Sequence, residues 1–152
     1  MSGYAIRESV PLDLPAILEI ERAIPLAAHW TEDAYRQLWN GPEGIRVALV
    51  AYDDSGVLGF IVAHEIAGEW ELENVAVRPG FQGRGIGRGL LQQLLGVLES
   101  ARATRLFLEV RESNLPARRL YESQGLRLSG RRKNYYGNPP EDALLFEKSF
   151  PF

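Results

Sequence analysis

The sequence predicts an α/β fold in which a mixed central sheet of six to seven strands is flanked by four helices. The first reason is the order of the predicted elements, β-α-α-β-β-β-α-β-α-β-β, along 152 residues. Successive strands followed by strands that alternate with helices are typical of a mixed sheet with helices on its faces. The second reason is a glycine-rich loop, residues 80–87, that joins a strand to a helix. This length predicts a single domain over residues 1–152.

The first part of the chain predicts a strand and two helices. Residues 4–9 alternate loosely between apolar and polar side chains, as a short strand does. A helix follows, because Asp13 and Pro15 suit a first turn, and it ends before Pro25. Thr31 is the expected N-cap of the second helix.

The middle of the chain predicts three consecutive strands. Apolar runs at residues 47–52 and 57–63 flank the turn 53–56 and predict a β-hairpin. The third strand, residues 69–77, alternates between an apolar face and an acidic face. The acidic side chains are those of Glu69, Glu71 and Glu73. We interpret this face as solvated, because glutamates are seldom buried.

The second half predicts two helices and three strands. A helix with leucines three to four residues apart runs from near Ile86 to near Arg102. Residues 106–110 predict a buried strand that contains one glutamate. Asn114 is the expected N-cap of the last helix, which closes at Gly125. Two final strands are expected at residues 126–128 and 143–150, with a loop at residues 134–142 between them.

The glycine-rich loop is a candidate anion site. Unpaired amides of a first helical turn and the positive end of the helix dipole point at one spot, which favours a phosphate group. The loop is not a P-loop, because the chain has no Gly-Lys pair, and its glycine spacing of two does not match the dinucleotide fingerprint. A tight turn that binds nothing is the alternative. The glycines are Gly80, Gly83, Gly85, Gly87 and Gly89.

Composition narrows the classes of function. The net charge of −3 gives no global positive field for nucleic acid or an anionic membrane. The absence of cysteine excludes disulfides, thiolate metal sites and a cysteine nucleophile, and the isolated His29 and His64 predict no metal site. The amino terminus lacks the apolar core of a signal peptide, and no apolar run approaches the roughly 20 residues of a membrane span. We therefore expect a cytoplasmic protein that binds neither nucleic acid nor membrane.

The loop and its flanks carry a specific resemblance. The motif Gln82-x-x-Gly85-x-Gly87, directly after a strand that ends in Val-Arg-Pro, resembles the acetyl-coenzyme A (acetyl-CoA) pyrophosphate loop of the GNAT acyltransferase superfamily. Over nearly the whole chain, further segments resemble, in the same order, the bacterial ribosomal-protein-alanine N-acetyltransferases. These segments are HWTEDAYRQLW, ELENVAVRPGFQGRGIGRGLL, LFLEVRESNLPARRLYESQGL, RRKNYY and EDALLF.

The resemblance implies a GNAT fold, acetyl-CoA as the co-substrate and no metal. The implied acceptor is the α-amino group of a protein, an N-terminal alanine of a small-subunit ribosomal protein. Two alternatives remain open: a small-amine or lysine N-acetyltransferase of the same fold, and a non-catalytic acyl-CoA-binding module. We expect a monomer or a weak dimer.

Carried over residue by residue, the resemblance implies a cofactor site on one strand and the following loop. Main-chain groups of residues 75–77 would bind the pantetheine amides, and the amides of residues 83–88 would bind the pyrophosphate. Asn114, besides capping its helix, would also contact the cofactor. The implied cofactor-binding residues are Val75, Ala76, Val77, Gly83, Arg84, Gly85, Ile86, Gly87, Arg88 and Asn114.

Glu109 is the candidate general base. An α-amino group has a pKa of about 7.7 to 8.0, so a modest base that acts through water suffices to deprotonate it. Glu109 is the one carboxylate in the apolar run 106–110, and partial desolvation of a carboxylate makes it a stronger base. From the residues alone, Glu109 could equally be an edge-strand glutamate paired with Arg105 or Arg111. The resemblance favours the base, and Glu73 is the next candidate.

Tyr121 is the candidate general acid. It lies in the last predicted helix, 12 residues after Glu109. A phenol has a pKa of about 10, stays protonated at neutral pH and can donate a proton to a departing thiolate. From the residues alone, Tyr121 could instead be a core aromatic beside Leu120. The run Leu-Tyr-Glu-Ser-x-Gly resembles the segment of the family that holds its general-acid tyrosine.

The acceptor cleft is implied by two segments. The resemblance makes the His29-Trp30 region one wall and the segment with Tyr136 the other, with Tyr136 hydrogen-bonded to the incoming peptide and Glu73 nearby. The basic and aromatic residues 127–136 could also bind nucleic acid, which the net negative charge disfavours. The sequence departs from the family pattern at AIPLAAHW and at residues 138–140, where the acceptor is chosen.

Overall fold

The computed structural model describes residues 3–24, 30–42, 45–137 and 139–151 of the chain. Within these ranges the chain forms seven β-strands and four α-helices, in the order that the sequence predicts. The strands are β1 (Ala5–Glu8), β2 (Arg46–Asp53), β3 (Gly56–Ile66), β4 (Glu69–Val77), β5 (Arg105–Arg111), β6 (Arg127–Gly137) and β7 (Pro140–Ser149). The helices are α1 (Leu14–Arg22), α2 (Glu32–Arg36), α3 (Ile86–Ser100) and α4 (Leu115–Ser123).

The strands form one sheet in the order β1-β2-β3-β4-β5-β7-β6. Strands β4 and β5 are parallel, and the other neighbours are antiparallel. This arrangement confirms the predicted mixed α/β fold. The β4–β5 pairing is short, because it joins only Trp70 to Leu106 and Glu71 to Phe107. Beyond these pairs β4 and β5 separate, and the sheet opens between them.

Each face of the sheet has its own apolar core. On one face α3 and α4 pack against the sheet, and the leucines that predicted α3 form the centre of that core. Those leucines are Leu90, Leu91, Leu94 and Leu98, and none is exposed. Full burial stabilises such a side chain by about 1.5–3 kcal/mol. On the other face α1 and α2 contribute Ile17, Ile20 and Tyr35 to the second core.

A β-bulge in β4 changes which side chains face which core. Asn74 pairs with Val62 and Leu72 pairs with Ala63, so Glu73 is an extra residue in β4. Before the bulge, Leu72 packs in the α3 core. After the bulge, Asn74 is buried toward α2, where its side-chain amide donates to the Tyr35 hydroxyl at 2.9 Å. The sequence predicts regular alternation through this strand and misses the bulge.

Two predicted helix caps are confirmed. The Thr31 hydroxyl accepts a hydrogen bond from the Ala34 amide at 3.1 Å and opens α2. The Asn114 side chain accepts from the Ala117 amide at 3.3 Å and opens α4. Both side chains satisfy a first-turn amide that has no partner within its helix.

The prediction for the last two strands is wrong in length. Most of the expected loop, residues 134–142, belongs to β6 and β7. Strand β6 is an edge strand, and most of its side chains are exposed. Its polar sequence therefore lacks the apolar alternation that marks a strand. A bulge between Arg132 and Tyr136, with Asn134 at a φ of +53°, interrupts it further.

Candidate functional site

A cleft of about 760 Å³ lies where β4 and β5 separate. Its walls come from the end of β4, the glycine-rich loop, the first turns of α3 and α4, and the end of α1. Every residue predicted to bind the cofactor lines this cleft except Arg84. The lining includes Val75, Ala76, Val77, Gly83, Gly85, Ile86, Gly87, Arg88 and Asn114. The fold therefore brings together two segments, 75–88 and 114–120, that are distant in sequence.

The floor of the cleft is a strand edge with free main-chain groups. One edge of β4 pairs with β3 as far as Val77. The other edge pairs with β5 only at Trp70 and Glu71. At residues 75–77, that edge has no strand partner within the described ranges. An extended ligand with amide groups can bind to them as a neighbouring strand would.

The first turn of α3 closes one end of the cleft with unpaired amides. Gly85 is the N-cap residue and has a left-handed conformation, with φ +83°. Gly83 before it has φ +78°, and both positions favour glycine for this reason. Within the described residues no side chain caps this helix. Its first amides and its positive dipole end are therefore available to an anion.

Side chains of the loop hold it against the strand. The Gln82 amide donates to the Val77 carbonyl at 3.0 Å and ties the loop to the end of β4. Arg84 lies outside the cleft lining, with its guanidinium 5.0 Å from the centre of the Phe81 ring. Among the described residues, the cleft is thus lined mainly by backbone and apolar groups, with Arg88 as the one cationic side chain.

Acidic side chains gather where the two strands begin to separate. Glu71 pairs with Phe107 in the last β4–β5 pair, and Glu73 and Glu109 each follow two residues later on their strands. Burial raises the pKa of Glu71, and the negative charges of Glu73 and Glu109 raise it further. These three carboxylates therefore share one electrostatic environment.

The interpretation of the β4 glutamates as a solvated face is wrong for Glu73. Its side chain is only 14% exposed, and its Oε1 atom lies 2.8 Å from Nδ1 of His64 and 3.5 Å from Nε of Arg46. The bulge lies at this position, and the side chain points toward His64 and Arg46. Glu69, by contrast, forms an ion pair with Arg105 and stays 42% exposed.

Glu109 is buried with one oxygen free. Its side chain is 16% exposed, and its Oε1 atom lies 3.8 Å from the Arg132 guanidinium. Its Oε2 atom is buried and has no hydrogen-bond partner among the described residues. A buried, unpaired carboxylate oxygen is costly unless a ligand or water occupies it. Leu108 and Val110 face the α3 core, so Glu109 faces the other side of the sheet.

Tyr136 affects, or is affected by, the charge state of two other candidate site residues, Glu109 and Tyr121. Burial, followed by the charge of Glu109, raises the pKa of Tyr136 to about 12. Burial also raises the pKa of Tyr121, with a further contribution from Tyr136. The Arg111 guanidinium lies over the Tyr136 ring, 4.3 Å from its centre. Tyr136 therefore interacts electrostatically with both Glu109 and Tyr121, which lie on two other elements.

Tyr121 is almost fully buried. It is 4% exposed, and its ring lies 6.1 Å from that of Phe146 in the α3 core. The two alternatives for this residue, core aromatic and general acid, are both compatible with this position. Neither Tyr121 nor Glu109 belongs to the lining of the 760 Å³ cleft.

The structure describes only some of the other residues that are predicted to bind the acceptor. Trp30 stacks on Tyr35, with 5.0 Å between ring centres, beside the α1–α2 core. His29 lies outside the described residues. Ala23 and Ile24, at the end of α1, line the cleft.

A comparison with models of protein families identifies the family of this chain. The model of the Acetyltransferase (GNAT) family matches residues 14–126. The match extends from the start of α1 to just past α4 and includes the cleft. The chain belongs to the GNAT acetyltransferase family. It is therefore an N-acetyltransferase, and GNAT acetyltransferases use acetyl-CoA.

Individual GNAT relatives resemble the chain over most of its length. The [ribosomal protein bS18]-alanine N-acetyltransferase of Salmonella typhimurium is 38% identical over 136 residues, which cover 88% of this chain and 88% of the relative. The enzyme of the same name from Escherichia coli strain K12 is 35% identical, with the same coverage.

Solved structures of GNAT proteins share the fold. The crystal structure of the ribosomal-protein-S18-alanine N-acetyltransferase from Escherichia coli superposes with a TM-score of 0.86 at 31% identity, covering 99% of this chain and 96% of that one. Arabidopsis thaliana NAA60, solved in complex with acetyl-CoA, superposes with a TM-score of 0.87 at 20% identity, covering 97% and 98%. At that identity the second comparison supports the fold alone.

The described residues show neither a metal-binding cluster nor a helix that could span a membrane. They contain no group of three or more His, Cys, Asp or Glu side chains arranged to hold a metal ion. Among the helices in the described ranges, none is long and apolar enough to cross a membrane.

The sequence analysis of this acetyltransferase missed several residues at the site. Phe81, Pro116 and Leu120 line the cleft, and their positions beside Gln82, Asn114 and Tyr121 were the available signal. His64 and Arg46 were missed as partners of Glu73, because they lie on other strands. Tyr4 was also missed, although its hydroxyl contacts the glycine-rich loop.

Proposed function

We propose that this acetyltransferase moves the acetyl group of acetyl-CoA to the α-amino group of a protein N-terminus. We further propose that its acceptor is the N-terminal alanine of ribosomal protein bS18. Two relatives that align with 88% of this chain act on that alanine. The observation that carries the proposal is the cleft, which combines a free strand edge with an unpaired helix N-terminus.

The cleft fits the two chemical parts of acetyl-CoA. In the proposal, the free edge of β4 at residues 75–77 binds the amides of the pantetheine arm. The first-turn amides of α3, from residue 85 to residue 88, bind the diphosphate, and Arg88 adds a positive charge. Asn114, at the start of α4, borders the same cleft from the opposite side. This assignment places the thioester at the end of the cleft where β4 and β5 meet.

Glu109 acts as the general base in the proposed reaction, acting through a water molecule. Its unpaired Oε2 atom can accept the proton that the α-ammonium group must lose. The amine nitrogen then forms a bond with the thioester carbon while the carbon–sulfur bond breaks. Glu73 is the alternative base, but the Arg46 guanidinium and the His64 imidazole already lie 3.5 Å and 2.8 Å from its Oε1 atom.

Tyr121 acts as the general acid. Burial raises the pKa of its phenol, so the side chain stays protonated at neutral pH. It can then donate its proton to the departing sulfur, which takes the electron pair of the broken bond. The nitrogen loses a second proton as the amide forms, and that proton restores the Tyr121 phenol. The reaction therefore releases to solvent the one proton that Glu109 took from the ammonium group, and no metal is required for these steps.

The acceptor binds on the acidic side of the separated strands. We propose that Tyr136 contacts the incoming peptide, that Glu73 attracts its ammonium group, and that the His29-Trp30 region forms the opposite wall. The half-buried phenol of Tyr136 beside Glu109 supports this arrangement. We also propose that the protein is a monomer or a weak dimer. The bulge and the charged side chains of edge strand β6 oppose pairing with another sheet.

The test is an acceptor comparison with purified enzyme. Acetyl-CoA turnover is measured with a short peptide that begins with the bS18 alanine, with the same peptide blocked at its amino terminus and carrying a lysine, and with free polyamines. We expect turnover with the first peptide only. Preference for the lysine peptide or a polyamine would replace the proposed acceptor. Coenzyme A binding without turnover of any amine would indicate a non-catalytic module.

A further inference from the structure

The glycine-rich loop has a tyrosine behind it, on the side away from the cleft. The Tyr4 hydroxyl, just before β1, donates a hydrogen bond to the Gly85 carbonyl at 3.0 Å, across 81 residues of sequence. We propose that Tyr4 is a positioning residue, which orients the amides that bind the diphosphate of acetyl-CoA. This inference rests on the proposed cofactor site.

The Gly85 carbonyl receives two hydrogen bonds. The second comes from the Gly89 amide at 2.9 Å and is the first bond of the α3 backbone ladder. With both lone pairs of the oxygen occupied, the peptide plane between Gly85 and Ile86 is held from two directions. Because the peptide is planar and trans, fixing the carbonyl also fixes the Ile86 N–H, which points the opposite way. Ile86 lines the cleft, so this amide is one of those offered to the ligand.

The Tyr4 contact has an electronic as well as a geometric effect. A donor on the carbonyl oxygen polarises the peptide group, and hydrogen bonds in such chains strengthen one another. The Ile86 amide therefore becomes a better donor when the Tyr4 bond is present. Tyr4 itself does not line the cleft. It acts on the ligand only through the Gly85–Ile86 peptide.

The position of Tyr4 explains a glycine that the anion site does not require. Gly89 lies inside α3 with an ordinary helical conformation, where alanine would favour the helix more. A Cβ atom at this position would lie 2.1 Å from the Tyr4 hydroxyl oxygen and 3.1 Å from the ring carbon that carries it. An alanine at position 89 would therefore displace the tyrosine. The spacing of the glycines reflects two needs: Gly83 and Gly85 shape the loop, and Gly89 leaves room for Tyr4.

Tyr4 also fastens the loop from its outer side. Its ring packs against the α3 core. A small secondary pocket behind the loop is lined by Tyr4 together with Asp53, Phe81 and Arg84. Arg84, the one predicted cofactor residue outside the cleft, therefore lies on this supporting side. The loop is held from behind by Tyr4 while its amides face the ligand.

The first test compares Tyr4→Phe with Tyr52→Phe. The control tyrosine lies on the neighbouring strand, beside Ala5, and no hydrogen bond of its hydroxyl is found within the described residues. We expect Tyr4→Phe to raise KM for acetyl-CoA about fivefold, the effect of one lost hydrogen bond, with little change in kcat or in KM for the peptide. Tyr52→Phe leaves all three values unchanged.

A truncated donor separates positioning from a general structural role. S-acetylpantetheine has the thioester and the pantetheine amides but no diphosphate. Tyr4→Phe should lower kcat/KM for acetyl-CoA about fivefold and leave kcat/KM for S-acetylpantetheine unchanged. Equal losses with both donors, or no loss with either, would overturn the inference. Failure of the wild-type protein to bind coenzyme A in calorimetry would instead overturn the proposed cofactor site.

A second pair of variants tests the glycine. Gly89→Ala and Gly96→Ala both place alanine in α3, but a Cβ at position 96 meets open space. We expect Gly96→Ala to raise the melting temperature and leave coenzyme A affinity unchanged. Gly89→Ala should weaken coenzyme A binding by about the same factor as Tyr4→Phe, and the double variant should be no weaker than either one. Full affinity in Gly89→Ala, or additive losses in the double variant, would contradict the inference.

Discussion

The two sides of the proposed site are built from different parts of the chain. The cofactor side uses the backbone: a free strand edge at 75–77, two left-handed glycines and the first turn of α3. The acceptor side uses charged side chains from several strands, among them Glu73, His64 and Glu109. A backbone site can bind any ligand with the same amides and phosphates. A side-chain site can change its specificity through single substitutions while the donor stays the same.

The largest effect is expected from Glu109→Gln on the acceptor side. The substitution keeps the shape of the side chain but removes the base, so we expect turnover to fall by about 10² to 10⁴. Because Glu109 does not line the cofactor cleft, coenzyme A affinity measured by calorimetry should change little. Unchanged turnover would remove Glu109 from the mechanism and leave Glu73 as the candidate.

Gly85→Asp should weaken the binding of coenzyme A. It places a side chain on a backbone with φ +83° and puts a negative charge at the anion site. We expect coenzyme A affinity to fall roughly 100-fold, equivalent to about 2.7 kcal/mol. Gly68→Asp is the matched control, because Gly68 has a similar φ of +86° with open space around it. If both variants keep full affinity, the loop does not bind the diphosphate.

Glu73→Gln should weaken binding of the acceptor peptide without affecting binding of acetyl-CoA. Its carboxylate lies 2.8 Å from Nδ1 of His64 and is largely buried. Loss of this charge should raise KM for the alanine peptide about tenfold and leave KM for acetyl-CoA unchanged. Glu69→Gln, on the same strand but exposed, provides the control. A rise in KM for acetyl-CoA alone would place Glu73 on the donor side instead.

The smallest effect is expected in stability, from Glu71→Gln. Burial raises the pKa of Glu71 in the folded protein, so the folded state binds more protons than the unfolded state and gains stability as pH falls. Ionised Glu71 therefore destabilises the fold at neutral pH. The variant should melt at a higher temperature than wild type at pH 7, and this difference should disappear below the ordinary pKa of about 4.5. A lower melting temperature at pH 7 would show that the carboxylate is stabilising.

The sequence predicted the residues that line the cleft better than it predicted the surroundings of the acidic side chains, for a physical reason. The loop, its helix and the Asn114 cap depend on glycines and on local hydrogen bonds within a few residues. Such features are encoded in short runs of sequence. The fold class followed equally well from the leucine spacing of α3 and the alternation of β4.

The features that could not be predicted depend on contacts between distant segments. The bulge at Glu73 has no glycine to mark it, and the Tyr4–Gly85 contact joins residues 81 positions apart. The solvated interpretation of Glu73 was wrong because only the sheet brings His64 beside it. The end of strand β6, residues 134–137, was predicted to be a loop because an exposed edge strand needs no apolar face.

The most direct test of the central claim is a crystal structure with coenzyme A covalently joined to an alanine-initiated peptide. We predict diphosphate oxygens within hydrogen-bond distance of the amides at the start of α3, and the pantetheine arm along the free edge of β4. The junction between sulfur and peptide should lie between Glu109 and Tyr121. A diphosphate bound away from the glycine-rich loop, or a junction far from Glu109, would contradict the account.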